Sequence, residues 1–185
     1  MTESGEGLPR VLMVDDRAEN LLALEAILQG MPVQAVGVDS GEAALKQLLR
    51  HDFALILLDA QMPDMDGFET ARRIKQRERT RGIPIVFLTA ADADGHLALR
   101  GYAAGAVDYL TKPIDPWVLR AKVSVLVELW DKNRRVRTQA ALTATYERRL
   151  AMASQRVERA LELADSNEST TELRALLEQL AEDLQ

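Results

Sequence analysis

The chain of 185 residues has no cysteine, and that single absence removes disulfides, iron–sulfur clusters and any thiol nucleophile. Histidine is nearly absent too: His51 and His96 lie far apart, which argues against a zinc site. No apolar run approaches the ~20 residues needed to span a bilayer, and Met1 to Pro9 lacks the apolar centre of a signal peptide. Nor is there an excess of positive charge. With 29 acidic and 23 basic residues the net charge is −6, so neither nucleic acid nor an anionic membrane is an expected partner. A cytoplasmic protein follows as the expectation, with one domain of ordinary size and an appendage.

What is present is a set of short apolar runs ending in polar groups. Ala54 to Leu58 has no polar alternation, as in a strand covered on both faces of a parallel sheet, and it ends at Asp59. Pro63 and Gly67 mark the following Met-Pro-Asp-Met-Asp-Gly as loop. Val11 to Val14 is a similar run, ending in Asp15 and Asp16. Leu21, Leu24, Ile27 and Leu28 then recur at helical spacing, with Glu19, Asn20 and Glu25 between them, until Gly30 and Pro32 stop the helix. Val33 to Val38 reads as a strand. Ser40 and Glu42 open a helix whose apolar side carries Ala44, Leu45, Leu48 and Leu49. After Gly67, the spacing of Phe68, Ala71 and Ile74 predicts another helix. The basic run of Arg72, Arg73, Lys75, Arg77, Arg79 and Arg81 reads as its solvated side. Ile83 to Leu88 is the fourth strand, ending at Thr89-Ala90. A helix with Leu97, Leu99 and Tyr102 follows, and Ala106 to Leu110 is a fifth strand that delivers Thr111, Lys112 and Pro113. The alternation is (βα)5, an α/β, doubly wound, parallel five-stranded sheet of flavodoxin-like type.

In such a sheet, ligands bind at the carboxyl ends of the strands. Four of the five strands send polar groups there: Asp15 and Asp16, Asp59, Thr89, and Lys112. Three converging carboxylates repel one another unless a cation joins them, and hard oxygen ligands suit Mg²⁺ (or Mn²⁺). A metal, an ammonium and a hydroxyl are together what a transferring phosphoryl group needs around its oxygens. With no thiol and no strand-end histidine, the nucleophile is a carboxylate, which forms an aspartyl phosphate.

At residues 9 to 128 the chain resembles the receiver domains of two-component response regulators. The resemblance rests on Asp15-Asp16, the stretch Asp59-Ala-Gln-Met-Pro-Asp-Met-Asp-Gly67, Thr89-Ala90 and Tyr109-Leu-Thr-Lys-Pro113. It implies that Asp59 is the phosphoacceptor, with a sensor histidine kinase as donor. It implies further that Asp16 and Asp59 bind Mg²⁺ directly, Asp15 through water, and the backbone carbonyl of Gln61 adds a ligand. Lys112 would contact the phosphoryl oxygens; Thr89, next to Ala90, would reorient toward the phosphate, with Tyr109 following inward. The Lys112-Pro113 bond would be cis, and Gln61 and Ala91 would tune the lifetime of the phosphorylated state, Ala91 offering no polar group to hold an attacking water. On this reading the chain is a phosphoacceptor that at most catalyses its own phosphorylation and dephosphorylation. An aspartyl-nucleophile phosphatase uses similar groups, but places a second Asp where Gln61 stands and has the acid pair last rather than first.

From Trp117 onward there is neither Gly nor Pro, a helix-forming composition. The expected organisation is a flexible tail over 1–9, a receiver over 10–128 and a helical extension over 129–185. One long helix would run to about residue 164, roughly 70 Å if straight at ~1.5 Å per residue. A break over 165–171 and a short last helix would follow. Leu126, Leu129, Asn133, Val136 and Ala140 fit one seam. Tyr146, Leu150, Ala153, Val157, Ala160 and Ala164 fit another, with a phase shift near residues 140 to 146 and Leu161 on the exposed apolar stripe. This predicts a coiled coil and a homodimer that signals through its tail, without a DNA-binding or enzymatic output domain; the alternative is the N-terminal piece of a longer signalling protein. No histidine in the tail can accept phosphate. The downstream protein partner is not legible.

Overall fold

The computed structural model describes residues 7–90 and 105–165. Strands β1 (Arg10–Val14), β2 (Gln34–Val38), β3 (Leu55–Asp59), β4 (Ile85–Ala90) and β5 (Asp108–Lys112) form one sheet in the order β2-β1-β3-β4-β5, with every pair parallel. Between them run helices α1 (Ala18–Leu28), α2 (Gly41–Arg50) and α3 (Gly67–Gln76), and α4 (Pro116–Asp165) follows β5. The helix expected over Leu97, Leu99 and Tyr102 lies outside the described residues, as do Ala91, the last helix and the expected break over 165–171 apart from Asp165, which is still in α4.

The absence of polar alternation in the strands has a direct cause. Successive strand residues face opposite sides of a sheet, and here both sides are covered. Leu12, Val14, Ile56, Leu58, Ile85 and Phe87 pack with Ala44, Leu45 and Leu48 of α2 and Phe68, Ala71 and Ile74 of α3. Their neighbours Val11, Met13, Leu55, Leu57, Val86 and Leu88 pack on the other side with Leu24 and Leu28 of α1 and Leu119 and Val123 of α4. The chain leaves β1 outward to β2 and returns past it to β3. The direction of winding therefore reverses between β1 and β3, where Asp15 and Asp59 emerge.

Several expectations shift in detail. Leu49 is exposed rather than on the buried side of α2, which Ala44, Leu45 and Leu48 already fill. β4 and β5 begin and end about two residues later than the apolar runs suggest, because backbone pairing continues past the last apolar side chain: Thr89 pairs with Thr111 and Ala90 with Lys112. In the basic run, Arg72, Arg73, Arg77, Arg79 and Arg81 are solvated. Lys75 is not. Its ammonium donates to the carbonyls of Ile83 (2.7 Å) and Arg81 (3.0 Å), and burial lowers its pKa.

Two compact units divide the chain, residues 1–132 and 133–185. Within the first, Leu126 is half-buried and packs on the α1 side of the sheet core. Leu129 is exposed there. Within the second, Asn133, Val136, Leu150, Val157 and Leu161 are all exposed, while Ala153 is buried. No described helix is long and apolar enough to cross a membrane.

Candidate phosphoacceptor and metal site

Asp59 is the last residue of β3, paired with Leu88 of β4, and its side chain stands at the carboxyl edge of the sheet. The chain then turns sharply: the Ala60 N–H donates to Leu88 O (2.9 Å), and the Gly67 N–H returns to Ala60 O (3.1 Å). Asp64, in that loop, has a left-handed φ of 63°. Asp66 caps α3, its Oδ1 accepting from the Glu69 N–H at 2.6 Å. Gly67 is required by space. A Cβ there would lie 2.1 Å from the Asp59 carbonyl oxygen.

Asp15, at the end of β1, is fully buried, Asp59 nearly so, and Asp16 is exposed. Each of the three offers an oxygen within 4.8 Å of the others. Lys112 reaches across from the end of β5, donating to Asp15 Oδ2 (2.8 Å) and Asp59 Oδ1 (3.0 Å). The other oxygen of Asp15 accepts from the Arg17 N–H (3.0 Å) and from Asn20 Nδ2 (2.8 Å). Thr89 is buried and its Oγ1 has no hydrogen-bond partner among the described residues. Ala90 and Gln61 are exposed beside the site, Tyr109 is 41% exposed, and the Lys112-Pro113 bond is cis.

Burial raises the pKa of Asp59, and the carboxylates of Asp15 and Asp16 add to that against the opposing pull of Lys112. Burial alone would lower the pKa of Lys112, but its hydrogen bonds and charge contacts with Asp15 and Asp59 raise it overall. Both members of the ion pair hold their protons more tightly, Asp59 chiefly because it is buried and Lys112 because two carboxylates bind it. That surplus of negative charge on hard oxygens, with a buried hydroxyl beside it that has no partner among the described residues, fits a small divalent cation and an incoming anion.

All of the strand-end residues singled out in the sequence therefore meet at one edge. Two contributors were not singled out there. Asn20 reads as an ordinary polar position of an amphipathic helix, although it stands only five residues beyond Asp15. Gly67 reads only as a loop breaker.

The response regulator receiver domain family model matches residues 11–124. The chain is 42% identical over 117 residues to the response regulator PleD of Caulobacter vibrioides, covering 63% of this chain and 26% of that protein. It is 36% identical over 181 residues to the virulence sensor protein BvgS of Bordetella bronchiseptica, covering 95% of this chain and 14% of that one. The chain thus spans about a quarter or less of the length of these curated relatives. Among solved structures, a response regulator receiver protein from Pseudomonas putida superposes with a TM-score of 0.57 at 32% identity, over 66% of this chain and 98% of that one.

Proposed function

This chain belongs to the response regulator receiver family, and from that premise we propose that Asp59 accepts a phosphoryl group from a sensor histidine kinase in the cytoplasm and that the helical tail carries the signal onward as a homodimer. The observation that supports the first part is the Lys112 ammonium shared by Asp15 and Asp59 at the point where the sheet's winding reverses.

An Asp59 oxygen attacks phosphorus; the new P–O bond forms as the P–N bond to the donor imidazole breaks, and the imidazole leaves with the bonding pair. Lys112 is already within hydrogen-bond distance of the attacking carboxylate and transfers its donors to the phosphoryl oxygens. The buried Thr89 hydroxyl, without a partner among the described residues, supplies a further donor. Asp16 and Asp59, Asp15 through water and the Gln61 carbonyl would hold Mg²⁺ or Mn²⁺, which when bound neutralises the charge built up on the phosphoryl oxygens. Tyr109, exposed in this state, follows Thr89 inward, and Gln61 with Ala91 sets how long the phosphoryl group persists. Because β5 carries Lys112 and leads at once into α4, movement at the site reaches the tail directly.

The dimer rests on the exposed apolar residues of α4. Leu129, Val136, Leu150 and Val157 recur at whole heptads, so these four fit a single phase without the shift expected near 140 to 146. Leu161 lies beside them and Asn133 supplies a polar position that fixes register at some cost in stability. Leu126, half-buried against the sheet core, would sit at the seam's start. The similarity to a sensor protein over 95% of this chain, tail included, favours a second reading in which the same receiver is one segment of a longer signalling protein.

Incubation with a small acyl phosphate and Mg²⁺ should phosphorylate the wild-type chain and leave Asp59→Asn unlabelled; equal labelling of both would refute the site. Lys112→Ala should fold but label more slowly. Sedimentation should find the full chain dimeric and a version ending at residue 128 monomeric. A monomeric full chain, or a truncated one that dimerises as tightly, would remove the tail from the proposal.

A further inference from the structure

Helix α1 starts in an unusual way. Its N-cap residue, Arg17, has an extended backbone, but its side chain makes no capping hydrogen bond. Two donors at this start point back to the site: the backbone N–H of the N-cap Arg17 and the side-chain amide of Asn20 both converge on Oδ1 of Asp15. Asparagine is a poor helix former, so its place in the first turn of α1 is not explained by helix propensity. Nor does its side chain cap the helix; it reaches back to a fully buried carboxylate.

With Lys112 on Oδ2 and two N–H donors on Oδ1, Asp15 has both oxygens engaged from three directions. A carboxylate held in that way has one orientation. Asp16, its exposed neighbour, has no such restraint among the described contacts. The two adjacent acids are therefore unlike: one fixed, one adjustable. Mg²⁺ demands near-ideal octahedral geometry with short bonds, whereas Ca²⁺ tolerates more ligands at longer and more variable distances. A rigid acid fixes the water through which it would hold the ion, and this favours Mg²⁺, which keeps its waters in a near-ideal octahedron. Groups that orient metal-site ligands from behind commonly change metal affinity about tenfold or more when removed.

We propose that Asn20 is a positioning residue that holds Asp15 rigid and thereby sets the pocket's preference for Mg²⁺ over Ca²⁺. The inference rests on the reading of the acidic pocket as a divalent-cation site. It concerns selectivity rather than the presence of binding, and it assigns Asn20 no contact with the ion.

The test is calorimetric titration of the full chain with Mg²⁺ and, separately, Ca²⁺, for wild type, Asn20→Ala and Asn20→Ser. Asn20→Ala should weaken Mg²⁺ binding about tenfold and Ca²⁺ binding by less than about twofold, so that the ratio of the two constants collapses. Asn20→Ser, which keeps a short donor, should fall between; it also serves if the alanine variant does not fold. A general loosening of the domain would weaken both ions alike and leave the ratio unchanged, and that result overturns the proposal, as does unchanged Mg²⁺ affinity. If the wild type binds neither ion, the cation site itself is wrong and the role of Asn20 falls with it. Wild-type selectivity retained in both variants would dismiss Asn20 alone.

Discussion

Replacing Gly67 with alanine probes the junction on which the site is built. A Cβ at that position would lie 2.1 Å from the carbonyl oxygen of Asp59 and 2.9 Å from the Cα of Ala60. Ordinary carbon–oxygen contacts are near 3.3 Å, so something must move by about 1 Å. Both obstacles are backbone at the end of the central strand β3, which is buried on both faces and cannot yield. Helix α3 must therefore retreat, and the Gly67 N–H to Ala60 O bond goes with it. Overpacking of this kind costs about 1–3 kcal/mol and the hydrogen bond about 1 kcal/mol, offset by the ~0.5–1 kcal/mol by which alanine is the better helix residue. The net loss is about 2–3 kcal/mol, a large part of the ~5–15 kcal/mol that stabilises a domain. At a urea slope of about 1–3 kcal/mol per molar, the unfolding midpoint should fall by about 0.7–3 M. Gly41→Ala is the matched comparison. Its Cβ would meet Thr70 Oγ1 at 2.2 Å and Met65 Sδ at 3.1 Å, atoms of side chains that can rotate, and the main loss is the bond from Thr70 Oγ1 to Asp66 O. That variant should lose only about 1 kcal/mol. A Gly67→Ala midpoint within about 0.3 M of wild type, or one above that of Gly41→Ala, would refute the reasoning. Because the clash is with Asp59 itself, Gly67→Ala should also accept phosphate more slowly than Gly41→Ala.

Asp59→Asn should stabilise the protein at neutral pH, since it removes a buried charge set against two other carboxylates. The folded pKa of Asp59 lies above its ordinary value of 3.8, so the folded state gains from protonation as pH falls through that window. The advantage of the Asn variant should therefore shrink as pH falls toward 4 in paired urea titrations; a gap that widens on acidification would contradict the charge assignment. Asp64→Gly should raise the unfolding midpoint by an amount equivalent to about 0.5–1 kcal/mol, because its φ of 63° suits glycine better than any side chain. A destabilised Asp64→Gly protein would mean that the Asp64 side chain makes a contribution larger than the backbone relief.

The sequence by itself determined the order of the elements and the chemistry at the sheet edge. The apolar runs of β1, β3 and β4 read as strands covered on both faces, and four of the five strands end in the residues that the structure brings to the site: Asp15 and Asp16, Asp59, Thr89, Lys112. Those are local signals, carried by residue type and by position at the end of a run. Only the tertiary structure decided the rest, because it depends on atoms distant in the chain. Nothing near Asn20 says that its amide will turn back to Asp15, and nothing near Gly67 says that a carbonyl will lie 2.1 Å from its missing Cβ. Lys75 belongs by composition to a solvated basic run, yet the fold lays two carbonyls within its reach. Leu126 fits a helical seam by spacing, yet it packs inward, because helical periodicity fixes which residues share a face but not what that face meets.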